Sequence, residues 1–316
     1  MRNRIVTLVE ASAATDEKVV FLTGDLGYSV VEPLQEMLGE RFINAGVAEA
    51  NMISMAGSLA ALGFKPFVYS IGPFATSRCF EQIRNDIVYQ RRKVGIIGVG
   101  SGFSYGGLGP SHHALEDASI MAALPDIIVG NPGNVAELDR FFALSQLTEA
   151  PAYFRIARES GTAYPVPFFM LHSAAYCVRE GCDATLVASG VMVSECLAAA
   201  ELLAAQDFAA RVVSVPVVAP FPKDALARTI SEGPIVSAFE GFPGNPFSVG
   251  VMATLYENRI TNPFLELTAP HRFESVVGNT QALRKGAGLD AETIARRTLE
   301  LAAFAMPLRR ARGSAA

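Results

Sequence analysis

Short runs of β-branched and aromatic residues alternate along the chain with longer stretches whose apolar positions recur at helical spacing. The pattern predicts strands over 19–22, 67–69, 94–99, 127–129 and 152–156, and helices over about 48–62, 76–89 and 135–147. Strand–helix alternation of this kind implies a mostly parallel sheet with helices on both faces. The stretch Tyr164-Pro165-Val166-Pro167 interrupts it, because two prolines remove backbone donors and bias their neighbours toward extended conformations. Beyond it the alternation restarts, with strands over 184–188, 211–215 and 235–239 and helices over about 194–205 and 223–231. Asp290 is placed to cap a last helix running to about 303. The expectation is an α/β protein of two domains, residues 1–165 and 166–316, each a mostly parallel sheet flanked by helices.

Composition narrows the function classes. Half of the 316 residues are apolar, 18% are charged and the net charge is −5, an ordinary globular balance rather than a disordered one. An acidic chain without a long Lys/Arg run is a poor match for phosphate backbones, so nucleic acid is not an expected partner. No stretch reaches the roughly 18 apolar residues that span a bilayer. The opening Met1-Arg2-Asn3-Arg4-Ile5-Val6, soon followed by Thr15-Asp16-Glu17-Lys18, lacks the apolar core of a signal peptide. A cytoplasmic protein is expected. Cys79, Cys177, Cys182 and Cys196 are too few and too widely spaced for a disulfide scaffold or a zinc knuckle, and read as reduced structural thiols. A mean hydropathy of +0.29 without any Trp suggests that a partner subunit covers some apolar surface.

Candidate chemistry concentrates in the first half. In Phe42-Ile43-Asn44-Ala45-Gly46-Val47-Ala48-Glu49 a short strand and a glycine turn lead into an apolar helix, and Glu49 stands at the junction. Taken alone, a carboxylate there is a helix-dipole cap. The segment resembles the cofactor-activating motif of the transketolase superfamily, in which a Gly-x-x-Glu turn presents a Glu to the N1′ atom of the aminopyrimidine of thiamine diphosphate. The resemblance makes Glu49 the residue that favours loss of the thiazolium carbon's proton, chemistry that suits a desolvated carboxyl sharing a proton with a ring nitrogen.

The following segment, from Phe67-Val68-Tyr69-Ser70 through Arg78-Cys79-Phe80-Glu81-Gln82-Ile83-Arg84-Asn85, resembles that of two-component transketolases. It places Phe74 against the pyrimidine, with Ile71 where a second aromatic is common; read without the family, Phe74 is a core residue. Gly106-Gly107-Leu108-Gly109-Pro110-Ser111-His112-His113 is similar to the family's Gly-Glu-Asp-Gly-x-Ser/Thr-His-Gln loop. It implies a substrate-side role for His112, where imidazole handles protons at neutral pH, and puts His113 in the place of the Gln. A metal site would need a third ligand beside the two histidines. Gly107-Leu108 replaces the acidic pair and Gly100 stands where many members have another histidine, so a smaller, less hydroxylated or unphosphorylated acceptor is expected.

Tyr153-Phe154-Arg155-Ile156-Ala157-Arg158 resembles the strand end that presents a phosphate-binding arginine, with Arg155 the nearer match and Arg158 second; the alternative for Arg155 is an interdomain salt bridge. In Leu22-Thr23-Gly24-Asp25-Leu26-Gly27-Tyr28-Ser29, Asp25 and Ser29 match positions near cofactor and substrate. No Gly-Asp-Gly, the family's motif for Mg²⁺ and the diphosphate, occurs in the chain. The resemblance therefore implies a separate diphosphate-binding subunit that holds most of the Mg²⁺ site, in an α₂β₂ assembly transferring a two-carbon ketol or related acyl-anion unit to an aldehyde. The rival expectations are a deoxyxylulose-phosphate-synthase-like enzyme, a 2-oxo-acid dehydrogenase β-type subunit and a non-catalytic scaffold subunit.

Overall fold

The computed structural model describes the backbone of residues 1–313 and side chains as far as residue 304. Twelve strands are present among the described residues. They are β1 (Val19–Thr23), β2 (Phe42–Asn44), β3 (Lys65–Ile71), β4 (Gly95–Val99), β5 (Ile128–Gly130), β6 (Ala152–Ile156), β7 (Tyr176–Arg179), β8 (Ala184–Ala188), β9 (Ala210–Ser214), β10 (Val217–Ala219), β11 (Ile235–Phe239) and β12 (Phe264–Thr268). They form two sheets, in the orders β10-β5-β6-β4-β3-β1-β2 and β12-β11-β8-β9-β7. All pairs are parallel except β10 with β5 and β7 with β9, each at a sheet edge.

The central strands are buried on both faces, which explains their unbroken apolar sequences. In β1, Val19 and Phe21 join one core cluster with Ile5, Val6 and Val9 of the helix Arg2–Thr15. Val20 and Leu22 point the other way, onto Met52, Ile53 and Ala56 of the helix Glu49–Ala61. Alternation of side chains along the strand thus fastens one helix to each face. The expected helix over 76–89 is instead a broken run, Gly72–Ala75, a 3₁₀ turn Ser77–Cys79, Phe80–Gln82 and a π-helical turn Ile83–Val88. That turn approaches Gly57 so closely that a Cβ there would lie 2.6 Å from the Asp86 carbonyl. Strand β10 comes from beyond the boundary expected at residue 165, yet it completes the edge of the first sheet.

Buried polar groups tie the two sheets together. Glu137 accepts hydrogen bonds from Tyr176 and Ser214, both at 2.5 Å, and from the Gly133 amide at 2.6 Å. Burial pushes its carboxyl above the ordinary range, against the pull of those donors. Arg284 of the helix Thr280–Ala287 bonds Glu240 at 2.5 Å and Glu159 at 2.9 Å. Among the described residues no helix is long and apolar enough to cross a membrane.

Candidate active site

The parallel strands β1, β2, β3, β4 and β6 end on one side of the first sheet, where open α/β sheets take their ligands. Every candidate residue but Arg155 lies at or just beyond one of these ends or on the neighbouring loop 106–113. Glu49 opens its helix at the end of the β2 turn, and its side chain is about 2% exposed. Its carboxylate accepts an N–H from Arg78 at 2.7 Å and faces the Ser70 hydroxyl at 3.5 Å.

From Glu49 the contacts run outward in a chain. The Arg78 guanidinium lies 4.1 Å from the centre of the half-buried Phe74 ring. The edge of Phe74 meets His112 at 5.1 Å, and His112 meets Tyr105 at 6.3 Å. Tyr105 in turn lies under the Arg158 guanidinium at 5.2 Å. The half-buried His112 has Nδ1 3.0 Å from the Ser111 hydroxyl, leaving the rest of the ring to a ligand. Ile71 ends β3 at the turn that carries Phe74.

Asp25 and Ser29 are exposed and hold φ of 56° and 64°, left-handed values that are costly for residues with a Cβ. Asp25 is fixed by its amide donating to Asn44 at 3.0 Å, by the Asn44 amide at 3.0 Å and by the Tyr28 hydroxyl at 3.1 Å. The Ser29 amide donates to Glu32 at 2.7 Å. Strain held in place by hydrogen bonds beside a buried carboxylate marks a loop kept in shape for a ligand.

Two expectations are corrected. Arg155 lies inside β6, 2% exposed, and does not face the cleft. Its Nε donates to Asp117 at 2.9 Å, Nη1 to Asn131 at 3.2 Å, and Nη2 to the carbonyls of Ala114 and Glu240 at 2.6 and 2.9 Å. No nitrogen is left for a substrate anion; the residue is an interdomain anchor. His113 is 3% exposed, packed edge-on to Phe103 at 5.3 Å, and neither ring nitrogen makes a hydrogen bond of good geometry. Burial lowers its pKa from the ordinary imidazole value, and its enclosed ring does not reach the cleft.

Three site residues escape the sequence patterns. Arg2 and Arg158 line one cavity of about 800 Å³ together with Ser104, Thr280, Arg4 and Glu159; the last two are paired with Asp139 and Arg284, which leaves Arg2 and Arg158 as its charged side chains without an ion-pair partner among the described residues. The helix Arg2–Thr15 carries Arg2 there, and the only signal in the sequence is its place one residue before an amphipathic run. Tyr105 fills the space beside Gly100, where φ is +90° and a Cβ would lie 2.1 Å from the Tyr105 ring. An aromatic ring thus occupies the space that a side chain at position 100 would need. Arg78, on Glu49, is the third.

The whole chain has known relatives. Residues 1–162 match the family model for the transketolase pyrimidine binding domain, and residues 173–294 that for the transketolase C-terminal domain. The 6-deoxy-6-sulfo-D-fructose transketolase subunit SqwH of Clostridium sp. (strain MSTE9) is 35% identical over 75% of each chain. An apulose-4-phosphate transketolase subunit of Phocaeicola vulgatus is 29% identical over 93% of this chain and 94% of its own. The 1-deoxy-D-xylulose-5-phosphate synthase of Thermomicrobium roseum is 29% identical over 93% of this chain, which spans 47% of that enzyme. Among solved structures, a split gene transketolase described as an inactive beta4 tetramer superposes with a TM-score of 0.85 and 28% identity, covering 96% of this chain and 98% of that one. With both family models matched, one after the other along most of its length, the chain belongs to the transketolase family.

Proposed function

We propose that this chain is the pyrimidine-side subunit of a two-component, thiamine-diphosphate-dependent transketolase. It moves a two-carbon ketol unit, or a related acyl-anion equivalent, to an aldehyde. The observation that carries the reading is the seat around Glu49. A buried carboxylate and the face of Phe74 already receive one planar N–H donor group, the Arg78 guanidinium. A flat nitrogen heterocycle needs the same pair of contacts. When bound, thiamine diphosphate supplies the carbon nucleophile that carries the transferred unit. Glu49 holds the proton shared with the ring, Phe74 walls it, and Ile71 and the Asp25 loop border it.

His112, between Phe74 and the arginine cavity, exchanges protons with the substrate oxygen; imidazole gives and takes a proton near neutral pH. Ser29 borders the substrate side. Arg158, with Arg2, anchors a terminal anion, and a guanidinium fork suits a phosphate or a sulfonate equally. Arg158→Ala is expected to raise KM for an anionic acceptor about tenfold to a hundredfold, the worth of a charge-assisted hydrogen bond, with kcat little changed. Steady-state kinetics with the anionic acceptor and its uncharged analogue checks this, since only the anionic one should respond.

The diphosphate and Mg²⁺ fall to a separate subunit in a two-fold α₂β₂ assembly. A relative described as an inactive tetramer of β subunits supports that division of the site. The test is calorimetric titration of thiamine diphosphate with Mg²⁺ into the chain alone and into its mixture with the diphosphate-domain subunit. Tight binding only in the mixture is expected; tight binding to the chain alone overturns the split. The deoxyxylulose-phosphate-synthase-like reaction is the second reading, because half of that enzyme aligns along nearly this whole chain.

A further inference from the structure

Arg78 has no part in the chemistry above, although it makes the shortest contact to the residue at its centre. Its guanidinium does two things at once. It donates to Glu49 at 2.7 Å and lies over Phe74 at 4.1 Å. These are the two contacts that the proposed function assigns to the aminopyrimidine ring. A ring stacked on Phe74 and bonded to Glu49 needs the volume in which the guanidinium stands, so the two exclude one another. The side chain is 44% exposed on a 3₁₀ turn, Glu49 is its only ion-pair partner among the described residues, and a long flexible stem leads out toward solvent.

On the reading that this site takes thiamine diphosphate, we infer that Arg78 is a displaceable stand-in for the cofactor ring, an internal counter-ion that leaves Glu49 when the ring arrives. While Arg78 is seated, the buried carboxylate is matched by a positive charge. When it swings out, the carboxylate is free to meet the ring, so departure of the counter-ion and loading of the cofactor are one exchange.

The other groups around Glu49 do not take over the role. Ser70 on β3 carries no charge, and the Cys79 thiol is pushed up to about 12, by burial first and then by the charge of Glu49, so it stays neutral. Across the cleft, Asp25 turns its carboxylate to Asn44 and Tyr28.

The test is titration calorimetry of thiamine diphosphate with Mg²⁺ into the two-subunit complex, for the unmodified chain, Arg78→Met and Arg78→Lys. Arg78→Met should bind about threefold to tenfold tighter, the competitor being gone. Arg78→Lys keeps the charge and should bind within about threefold of the unmodified chain, which also shows that substitution here leaves the complex assembled. Weaker or unchanged binding of Arg78→Met overturns the stand-in while leaving the cofactor assignment intact. Absence of binding by the unmodified complex overturns both.

Discussion

Glu49→Gln should lower turnover of the assembled enzyme by about a hundredfold to ten-thousandfold, the range of a positioned general acid–base group. Gln has the same shape and can still meet Phe74 and a ring nitrogen, but it does not exchange a proton with that nitrogen at neutral pH. Loss of the ion pair to Arg78 costs the fold little, since that partner is 44% exposed and the pair is screened by water, so stability should change by only about 1 kcal/mol. Turnover of the two-subunit mixture, measured beside thermal unfolding of the chain, separates these effects. Unchanged turnover would make this chain a scaffold that shapes or regulates a complex without doing chemistry in it.

Arg155→Leu should act in the opposite way, destabilising the chain by about 3–5 kcal/mol, the usual result of removing one member of a buried ion pair. Asp117, 1% exposed, would keep only the Tyr153 hydroxyl at 2.7 Å, the Glu240 carbonyl would lose its donor, and the Ala114 carbonyl would keep only the Gly102 amide at 2.9 Å. Glu240 directly follows β11, so the loss reaches from one sheet to the other. Urea unfolding is the readout, with Arg158→Ala as the control; its exposed side chain should change stability by less than about 1 kcal/mol. The double replacement Arg155→Leu with Asp117→Leu should recover part of the loss, because no buried charge is then left alone. A variant that stayed stable but lost affinity for an anionic acceptor would restore the substrate role that the strand-end motif implies for Arg155.

These two residues show how far the sequence reaches. Glu49 stands out because a strand, a glycine turn and a helix start are set within a few residues and resemble a family motif, whereas taken alone the same carboxylate reads as a helix-dipole cap. Arg155 does not, because Arg-Ile-Ala-Arg offers two guanidinium groups three residues apart, and the motif does not say where the strand ends. The strand ends at Ile156, so Arg155 is swallowed by the core while Arg158 emerges past the strand end into the cleft. Counting from the strand end favours Arg158.

Local periodicity and turn chemistry are enough to encode two α/β units, the central strands nearly to the residue and the helix that carries Glu49, while the loop that carries His112 is picked out only by its resemblance to a family motif. The remaining features depend on groups distant in the chain and emerge only once it is folded. The three-residue strand β10 crosses to the first sheet because the free edge of β5 offers its backbone hydrogen bonds. Arg2 enters the cavity of Arg158 through the packing of the helix Arg2–Thr15 on the sheet. His113 is buried behind Phe103 while its neighbour His112 stays in the cleft. Arg78 reaches Glu49 only because an expected helix breaks into short turns under β3. In each case burial or pairing between remote segments decides, and its free energy exceeds any preference that a short window of sequence expresses.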